Sequence, residues 1–432
     1  MAAHIPALRV GVSTRLRKSI VIAVAAVGLS FPLAGTLARK PPPPTDYDVE
    51  LARLQRDISE IKDGALAPPI DIETATRFAH RLYLRASLTG SPADFKAAET
   101  AIDRAIRDIG PVAGLYLLKA NLDFRLHRLE QAHRDLAALS PFAGNAQIVA
   151  LTAGLAFQEG GYEAAKRGYR SALEKNPTWD NLARLAYWES KFGDPGLADS
   201  LYGQAQHEIS AKEMRSYAWV ALERGLLEFN RGRYEKAMAH YAQATNAYSG
   251  YWLVDEHIAE LLAAQRRFDE AVALYRKVIA RVPRPEFQQA LGDLFRFMGK
   301  EDQARPWHDR ALAAYLESAA RGDVHYYHHL AGFYADVRRD GAEAVKWARK
   351  DAALRPNFVT QDGLAWALYR DGQFPAALDV MEQALSSGVK DGHLFFHAAM
   401  IHLAAGRTGD GKRFLKMLSE INPGYENFHV HR

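Results

Sequence analysis

The dominant pattern along the chain is a small residue followed four positions later by a large side chain and seven positions later by a second small residue. It recurs as Ala165/Tyr169/Ala172, Ala198/Tyr202/Ala205, Ala237/Tyr241/Ala244 and Ala304/His308/Ala311. Spacings of four and seven positions place side chains on one face of an α-helix. The pattern therefore predicts helices that each turn a stripe of small and large side chains towards a neighbouring helix.

The first small residue of this stripe marks a repeat. The markers are Ala98, Ala132, Ala165, Ala198, Ala237, Ala271, Ala304, Ala344, Ala377 and Gly411. The interval between them is nearly constant, except for two longer intervals that contain extra sequence at 207–217 and 316–326. A fixed period of about 34 residues indicates a stack of similar units. We expect a longer helix or a protruding loop at each insertion, which divides the stack into blocks of four, three and three repeats.

Glycine and proline mark the ends of the predicted helices. A glycine lies five positions before most markers, at Gly160, Gly193, Gly232, Gly299, Gly372 and Gly406. Glycine readily adopts the left-handed conformation that ends one helix and lets the next fold back. A proline, which separates helices, follows twelve positions after four markers, at Pro177, Pro283, Pro356 and Pro423. Each unit is therefore predicted to be a helix, a tight turn, a second helix and a stop.

This series of small residue, Gly, Tyr, Ala, Tyr, Ala and Pro resembles the tetratricopeptide repeat family. The resemblance covers residues 73–423 and is strongest over 153–177 and 225–244. The tryptophan that the family carries near the start of its first helix is missing from most units, and the first, second and last repeats are degenerate. Atypical ends are expected where the terminal units of a stack face water. The resemblance implies an all-α, right-handed superhelical solenoid of about ten helix-turn-helix repeats.

The resemblance also implies a groove for a partner. In that family, the positions seven and three before the turn glycine point into a concave surface that holds a peptide or protein. The candidate groove residues are Asn121, Phe124, Phe157, Tyr187, Phe229, Glu256, Glu260, Asp293, Arg296, Phe333, Trp366, Tyr369 and Phe396. Aromatic side chains supply large contact areas, although the same rings suit the core between repeats equally well. The lysine and asparagine with which the family's carboxylate clamp reads chaperone C-termini have no counterparts here.

The distribution of charge does not favour a nucleic-acid partner. The net charge is +4, but residues 1–38 contain Arg9, Arg15, Arg17 and Lys18 and no acidic residue, which leaves 51 basic and 51 acidic side chains in the rest. Binding to phosphates needs a surplus of lysine and arginine. We therefore expect no binding to nucleic acid.

Residues 1–38 have the layout of a secretory signal. A basic stretch ending at Lys18 precedes a mainly apolar run over 19–31, and Thr36 and Ala38 suit the −3 and −1 positions of a cleavage site. The alternative is an uncleaved anchor, because residues 19–38 reach the roughly 20 residues that span a bilayer. Under both interpretations, the part of the protein after residue 38 is exported. The predicted location is periplasmic or secreted, with membrane attachment only through residues 19–38 if they are retained.

A short segment separates this signal from the repeats. Residues 39–72 contain four prolines at 41–44, which form a stiff spacer, and then a helix pattern that begins at Thr45 or Asp46 and ends near Asp63-Gly64. We expect this helix to shield the open end of the stack, with self-association as the alternative. Residues 424–432 form a C-terminal tail.

The sequence offers little for catalysis. Cysteine is absent, which removes thiol nucleophiles and thiolate metal sites. No phosphate-binding glycine loop, nucleophile elbow or His-Glu-x-x-His motif is present. The histidines at 325, 328 and 329, and at 393, 397 and 402, have spacings compatible with metal ligation, but no acidic residue lies among them at ligand spacing. We therefore predict no catalytic residue, no cofactor and no metal site.

The leading hypothesis is a non-catalytic scaffold of the cell envelope that binds a protein or peptide in its concave groove. One alternative is a solenoid that binds a glycan or another small ligand through Trp366, Tyr369 and Phe396, which requires an exposed tryptophan face. The other is a metal-dependent protein that uses the histidine clusters.

Overall fold

The computed structural model describes residues 43–66 and 70–430. The chain divides into one unit over residues 1–43 and a second over residues 44–432. All the described helices lie in the second unit. They are α-helices, with one short 3₁₀ segment at Ser140–Phe142 and one π-helical segment at Phe333–Arg338, and the described residues contain no β-strand. The prediction of an all-α protein is therefore confirmed.

After helix α1 (Asp46–Leu66), the helices form ten consecutive antiparallel pairs. The pairs are α2 (Ile72–Thr89) with α3 (Pro92–Ile109), α4 (Ala113–Arg125) with α5 (Leu129–Ala137), α6 (Ala146–Gln158) with α7 (Tyr162–Lys175), α8 (Trp179–Phe192) with α9 (Pro195–Glu208), α10 (Met214–Phe229) with α11 (Tyr234–Ala247), α12 (Trp252–Ala264) with α13 (Phe268–Arg281), α14 (Pro285–Phe297) with α15 (Glu301–Ala320), α16 (Tyr327–Gly332, continued by the π-helical segment) with α17 (Gly341–Leu354), α18 (Phe358–Arg370) with α19 (Phe374–Ser386), and α20 (Gly392–Ala404) with α21 (Thr408–Ile421). The predicted number of about ten repeats is confirmed.

All ten marker residues lie on the second helix of a pair and are buried. The nine alanines among them have 0% of their surface exposed. A small side chain at this position lets two helix backbones approach closely, because nothing beyond a Cβ atom stands between them. The first helix also contributes small residues, such as Gly225 on α10. A Cβ atom there would lie 2.2 Å from Cε1 of Tyr241.

The two helices of a pair are buried to different extents. Helix α12 buries nine of its thirteen residues, whereas α13 buries only the stripe Ala271, Tyr275 and Val278. A helix that is apolar on several faces lies inside a structure, and a helix with one apolar stripe lies at its surface. The first helices therefore form the inner layer of the stack and the second helices form the outer layer.

The turn between the two helices of a pair follows the prediction at most repeats. Gly160, Gly232, Gly299, Gly372 and Gly406 all have positive φ angles, between 68° and 81°. Gly193 is an exception, with φ −113°. The prediction of a left-handed turn was wrong at this residue, because Asp194 caps α9 directly by accepting a hydrogen bond from the Gly196 N–H.

The two insertions are accommodated in different ways. Residues 209–213 form a loop between α9 and α10. In contrast, residues 316–320 of the second insertion lengthen α15, which has 20 residues where α13 has 14. Helix α1 also exceeds the predicted end at Asp63-Gly64 and continues to Leu66.

Some helix pairs that are five or six pairs apart along the stack are in direct contact, so distant parts of the stack meet. The side-chain amide of Asn357, just before α18, donates a hydrogen bond to the Gln158 carbonyl oxygen at the end of α6 (3.0 Å). Lys191, near the end of α8, forms an ion pair with Asp391, which precedes α20 (2.7 Å). The end of each of these inner helices thus meets the start of an inner helix in a later part of the stack.

Similar contacts join the start of the stack to its middle. The Trp252 indole at the start of α12 donates to the Leu88 carbonyl oxygen near the end of α2 (2.9 Å). Arg281 on α13 forms an ion pair with Asp48 on α1 (2.9 Å). Helix α1 packs beside α2 and also contacts α13 through this ion pair. It therefore joins two parts of the chain that are distant in sequence.

We predict that Gly225→Ala destabilises the protein by about 1–3 kcal/mol, because the new methyl group overlaps the Tyr241 ring in a filled core. The matched control is Gly203→Ala in the interior of α9, where the nearest atom to the new Cβ is 3.9 Å away. This control should stabilise the helix by up to about 1 kcal/mol. Urea unfolding followed by circular dichroism measures both changes. Equal effects of the two substitutions would contradict the close-approach argument.

Candidate binding face on the inner helices

The inner face is the set of side chains that the first helices turn away from the outer layer, and the thirteen predicted groove residues differ in accessibility on it. Five are buried, at Phe157, Phe229, Glu256, Glu260 and Phe333. Seven are half-buried, at Asn121, Phe124, Asp293, Arg296, Trp366, Tyr369 and Phe396. Tyr187 is 39% exposed. The buried members contact the core or each other, so an added partner reaches this face only through the remaining ones. Their role in binding a partner stays a prediction.

Several of these side chains already have partners within the chain. The Arg296 guanidinium donates a hydrogen bond to the Asp336 carbonyl oxygen (2.7 Å). The Asp293 carboxylate lies 2.9 Å from Nε2 of His308 on the paired helix. These contacts fix the polar middle of the predicted groove as part of the fold.

The C-terminal tail begins with turns and lies against the inner face, with contacts to three predicted groove residues. The His429 ring lies 4.8 Å from the Phe229 ring. The Val430 N–H donates a hydrogen bond to Oε1 of Glu260 (2.9 Å). Earlier in the tail, the rings of Tyr425 and Phe396 lie 5.3 Å apart. The sequence did not predict these contacts of the tail, because no local pattern links the tail to helices as distant in sequence as α10 and α12.

Phe428 anchors the tail. Its side chain is 2% exposed and packs with the core cluster between α12 and α14. The Phe428 ring meets the Phe297 ring edge to face, with 5.6 Å between their centroids. Burying one phenylalanine side chain contributes about 1.5–3 kcal/mol. The inner face thus has an apolar pocket that accepts the aromatic side chain of Phe428 from the tail.

An acidic cluster with one histidine lies beside the tail on α12. Nδ1 of His257 is 3.3 Å from a Glu256 oxygen and 3.4 Å from a Glu260 oxygen. Burial alone would lower the pKa of His257, but the two carboxylates outweigh burial and raise that pKa to about 9. Burial and the neighbouring Glu260 charge raise the pKa of Glu256. His257 therefore supplies the positive charge that lets the second carboxylate stay ionised.

A second cluster lies between α18 and α20. Asp362 is on α18, and His393 and His397 are one turn apart on α20. Nδ1 of His397 is 3.0 Å from the Asp362 carboxylate, and Nε2 of His393 is 3.7 Å from it. No acidic residue lies among these histidines at ligand spacing in the sequence, and the carboxylate that meets them comes from Asp362 in the preceding helix pair.

Among the described residues, these two clusters are the groups whose possible ligand atoms all lie within 4.8 Å of one another. The other histidines that the sequence singled out have different partners. The His325 ring lies 5.1 Å from the His127 ring, and the His329 ring stacks on Tyr315 at 5.4 Å.

Trp366 does not present a free ring. The His397 ring stacks on it at 4.0 Å with 8° between the planes. The Tyr369 ring also stacks on it, at 4.8 Å and 24°. The indole N–H donates to the Asp336 carboxylate (3.1 Å). The exposed tryptophan face that the glycan alternative requires is therefore occupied by protein side chains.

The predicted signal or anchor at residues 1–38 lies outside the described residues. Within residues 43–66 and 70–430, no helix has both the length and the apolar character to cross a membrane.

Comparisons with known proteins agree with the repeat assignment. The tetratricopeptide repeat family model matches residues 256–282, which comprise most of α12, its turn and α13. A comparison with curated proteins gives no match. The ten helix pairs and this matched repeat define a tetratricopeptide-like helical-repeat fold, which is typical of protein-interaction scaffolds. The resemblance found in the sequence is thus confirmed.

Similar solved structures have low sequence identity to the chain. Yeast Tom70 is 14% identical, with 87% of this chain and 92% of that one covered and a TM-score of 0.40. The Cut9-Hcn1 hetero-tetramer of the APC/C is 15% identical, with 88% and 80% covered and a TM-score of 0.41. The human IFIT1 dimer with PPP-AAAA is 12% identical, with 86% and 94% covered and a TM-score of 0.41. The fold assignment rests on the helix pairs themselves.

We predict that the pKa of His257 is about 9 in the folded protein and falls towards 6.5 in Glu260→Gln, which removes one carboxylate beside the imidazole. A folded-state pKa above the unfolded value means that the protonated imidazole stabilises the fold below pH 6.5. That stabilisation is lost as the pH rises through about 9. NMR titration of ¹³C-labelled histidines, assigned with His257→Gln, measures the pKa. A value at or below 6.5 in the unaltered protein would contradict the cluster geometry.

Proposed function

We propose that the protein is an exported, non-catalytic scaffold of the cell envelope that binds a peptide segment of a partner protein on the inner face. The observation that carries the proposal is the C-terminal tail, which lies on that face as such a segment. Its Phe428 ring fills an apolar pocket, and its Val430 N–H bonds to Glu260. Proteins with this fold bind protein partners, and the contacts that the tail makes on the inner face support binding of a partner segment there.

The contacts of the tail define what a partner segment supplies. It needs an aromatic side chain for the pocket between α12 and α14, where Phe428 meets Phe297. It also needs a backbone N–H two positions later for the Glu260 carboxylate. The tail occupies these positions in the free protein, so the partner displaces it or extends along the face towards the exposed Tyr187 ring.

The proposal that the protein is not an enzyme has a separate basis. Several polar side chains of the inner face are engaged with other side chains of the chain, as in the ion pair of Lys191 with Asp391 and the contact of Asp293 with His308. The helix pairs account for almost the whole described chain, and each of them serves packing.

Binding of a synthetic peptide of residues 424–432 to the chain ending at Pro423 tests the inner face directly. We expect saturable binding by fluorescence anisotropy. Binding should weaken by about tenfold or more when the peptide carries Phe428→Ala, since the loss of a buried ring costs more than about 1.4 kcal/mol. The intact chain is the control and should bind the labelled peptide more weakly, because its own tail competes. No binding by a truncated chain whose helicity is intact would contradict the proposal.

Export is tested by sequencing the N-terminus of the protein recovered from the cell envelope. Cleavage after Ala38 gives a mature chain that begins at Arg39. A chain that begins at Met1 in the membrane fraction would show that residues 19–38 act as an anchor instead. Recovery of the protein only from the cytoplasm would refute export.

A further inference from the structure

The cluster of Asp362, His393 and His397 has the composition of a metal site with three protein ligands. His393 and His397 are four positions apart on α20, so their rings share one helix face. Asp362 faces them from α18 of the preceding helix pair. One ligand atom from each residue lies within 4.8 Å of the others. The cluster therefore joins two consecutive inner helices.

We propose that Asp362, His393 and His397 bind a divalent transition-metal ion of the zinc type. Two imidazoles and one carboxylate are a ligand set of open zinc sites, in which water or another ligand takes the remaining position. Calcium and magnesium prefer oxygen ligands throughout, which two histidines do not provide. The ligand chemistry thus selects the class of ion.

The distances in the cluster fit such an ion. Two ligands about 2.1 Å from a tetrahedral zinc ion are about 3.4 Å apart from each other. The Asp362 carboxylate lies 3.0 Å from Nδ1 of His397 and 3.7 Å from Nε2 of His393. Both separations are within a few tenths of an ångström of that value, so small side-chain rotations are sufficient to admit the ion.

Neighbouring groups hold the ligands in place. The Tyr425 hydroxyl lies 3.1 Å from Nδ1 of His393, and a hydrogen bond at that nitrogen leaves Nε2 to face Asp362. The His397 ring is held parallel to the Trp366 indole at 4.0 Å. Asp391 caps α20 by accepting hydrogen bonds from the backbone of its first turn. Metal sites generally depend on such contacts to the ligating side chains.

The charge around Asp362 also favours a cation. Asp362 is 5% exposed, and in the described chain its polar partners are the two imidazoles. Nearby acids have full positive charges as partners: the half-buried Asp391 pairs with Lys191 (2.7 Å) and the buried Asp351 with Arg355 (2.8 Å). A buried carboxylate without such a partner is costly. A bound divalent ion supplies the missing charge.

The site has an entrance. The His393 side chain is 31% exposed, whereas His397 is 3% exposed. An ion therefore reaches the cluster past His393, and solvent on that side completes its coordination. The ligands come from two helix pairs, so the ion would connect the last two repeats. Because Tyr425 belongs to the tail and contacts His393, the ion would also link these repeats to the tail.

Titration of the untagged full-length chain with Co²⁺ and Zn²⁺, after removal of metal with a chelator, tests the site. We expect one equivalent of ion, visible absorption bands typical of cobalt with nitrogen and oxygen ligands, and a raised melting temperature, since binding to the folded state alone stabilises it. In His393→Gln, affinity should fall about tenfold or more. Asp362→Asn, which keeps the shape of the side chain, should have the same effect.

Two matched variants separate this site from other possible ligands. His257→Gln alters the acidic cluster on α12, and His431→Ala removes one histidine of the C-terminal pair. Both should bind the ion as the unaltered chain does. Absence of one-equivalent binding, or equal affinity in a His393→Gln chain of unchanged helicity, would overturn the proposal. Loss of binding in His257→Gln or His431→Ala alone would also overturn it, by assigning the ion to a different place.

Discussion

The close approach of the two helices within each pair is the constraint on which the rest of the structure depends. Every marker position is small and buried, and a larger side chain there would push the helix backbones apart. The large residue one turn later then fills the space beside it, as Tyr241 does against Gly225. Because similar units repeat ten times, the same local geometry is applied at each step, and small rotations between neighbours accumulate.

The accumulated rotation brings distant parts of the chain together. Asn357 meets Gln158, and Asp391 meets Lys191, although each pair is far apart in sequence. These contacts distinguish the protein from an open stack in which each repeat touches its neighbours alone. They also explain why aromatic residues at groove positions, such as Phe157 and Phe333, belong to the core: the inner face is narrow, and much of it is covered by the chain itself.

The polar contacts of the inner face form where neighbouring helices bring acidic residues and histidines together. Acidic residues meet histidines across two helices, as Asp293 meets His308 and Asp362 meets His397. Within α12, the same pairing occurs among consecutive turns, where His257 lies between Glu256 and Glu260. In a poorly hydrated interior each such group needs a partner of opposite charge or a hydrogen bond. The tail adds one more such contact, in which the Val430 N–H donates a hydrogen bond to Glu260.

The sequence by itself determined the helix pairs, their number and the buried stripe, because these depend on short spacings within one helix and on turn glycines beside it. The resemblance to the tetratricopeptide repeat family added the expectation that the first helix of each pair faces inwards, with Phe229 and Glu260 among its groove positions. Only the tertiary structure decided that the tail lies on that face and that Asp362 joins His393 and His397. Those contacts depend on the angle between successive pairs, which no local spacing encodes, and a small change in that angle alters every contact between distant repeats.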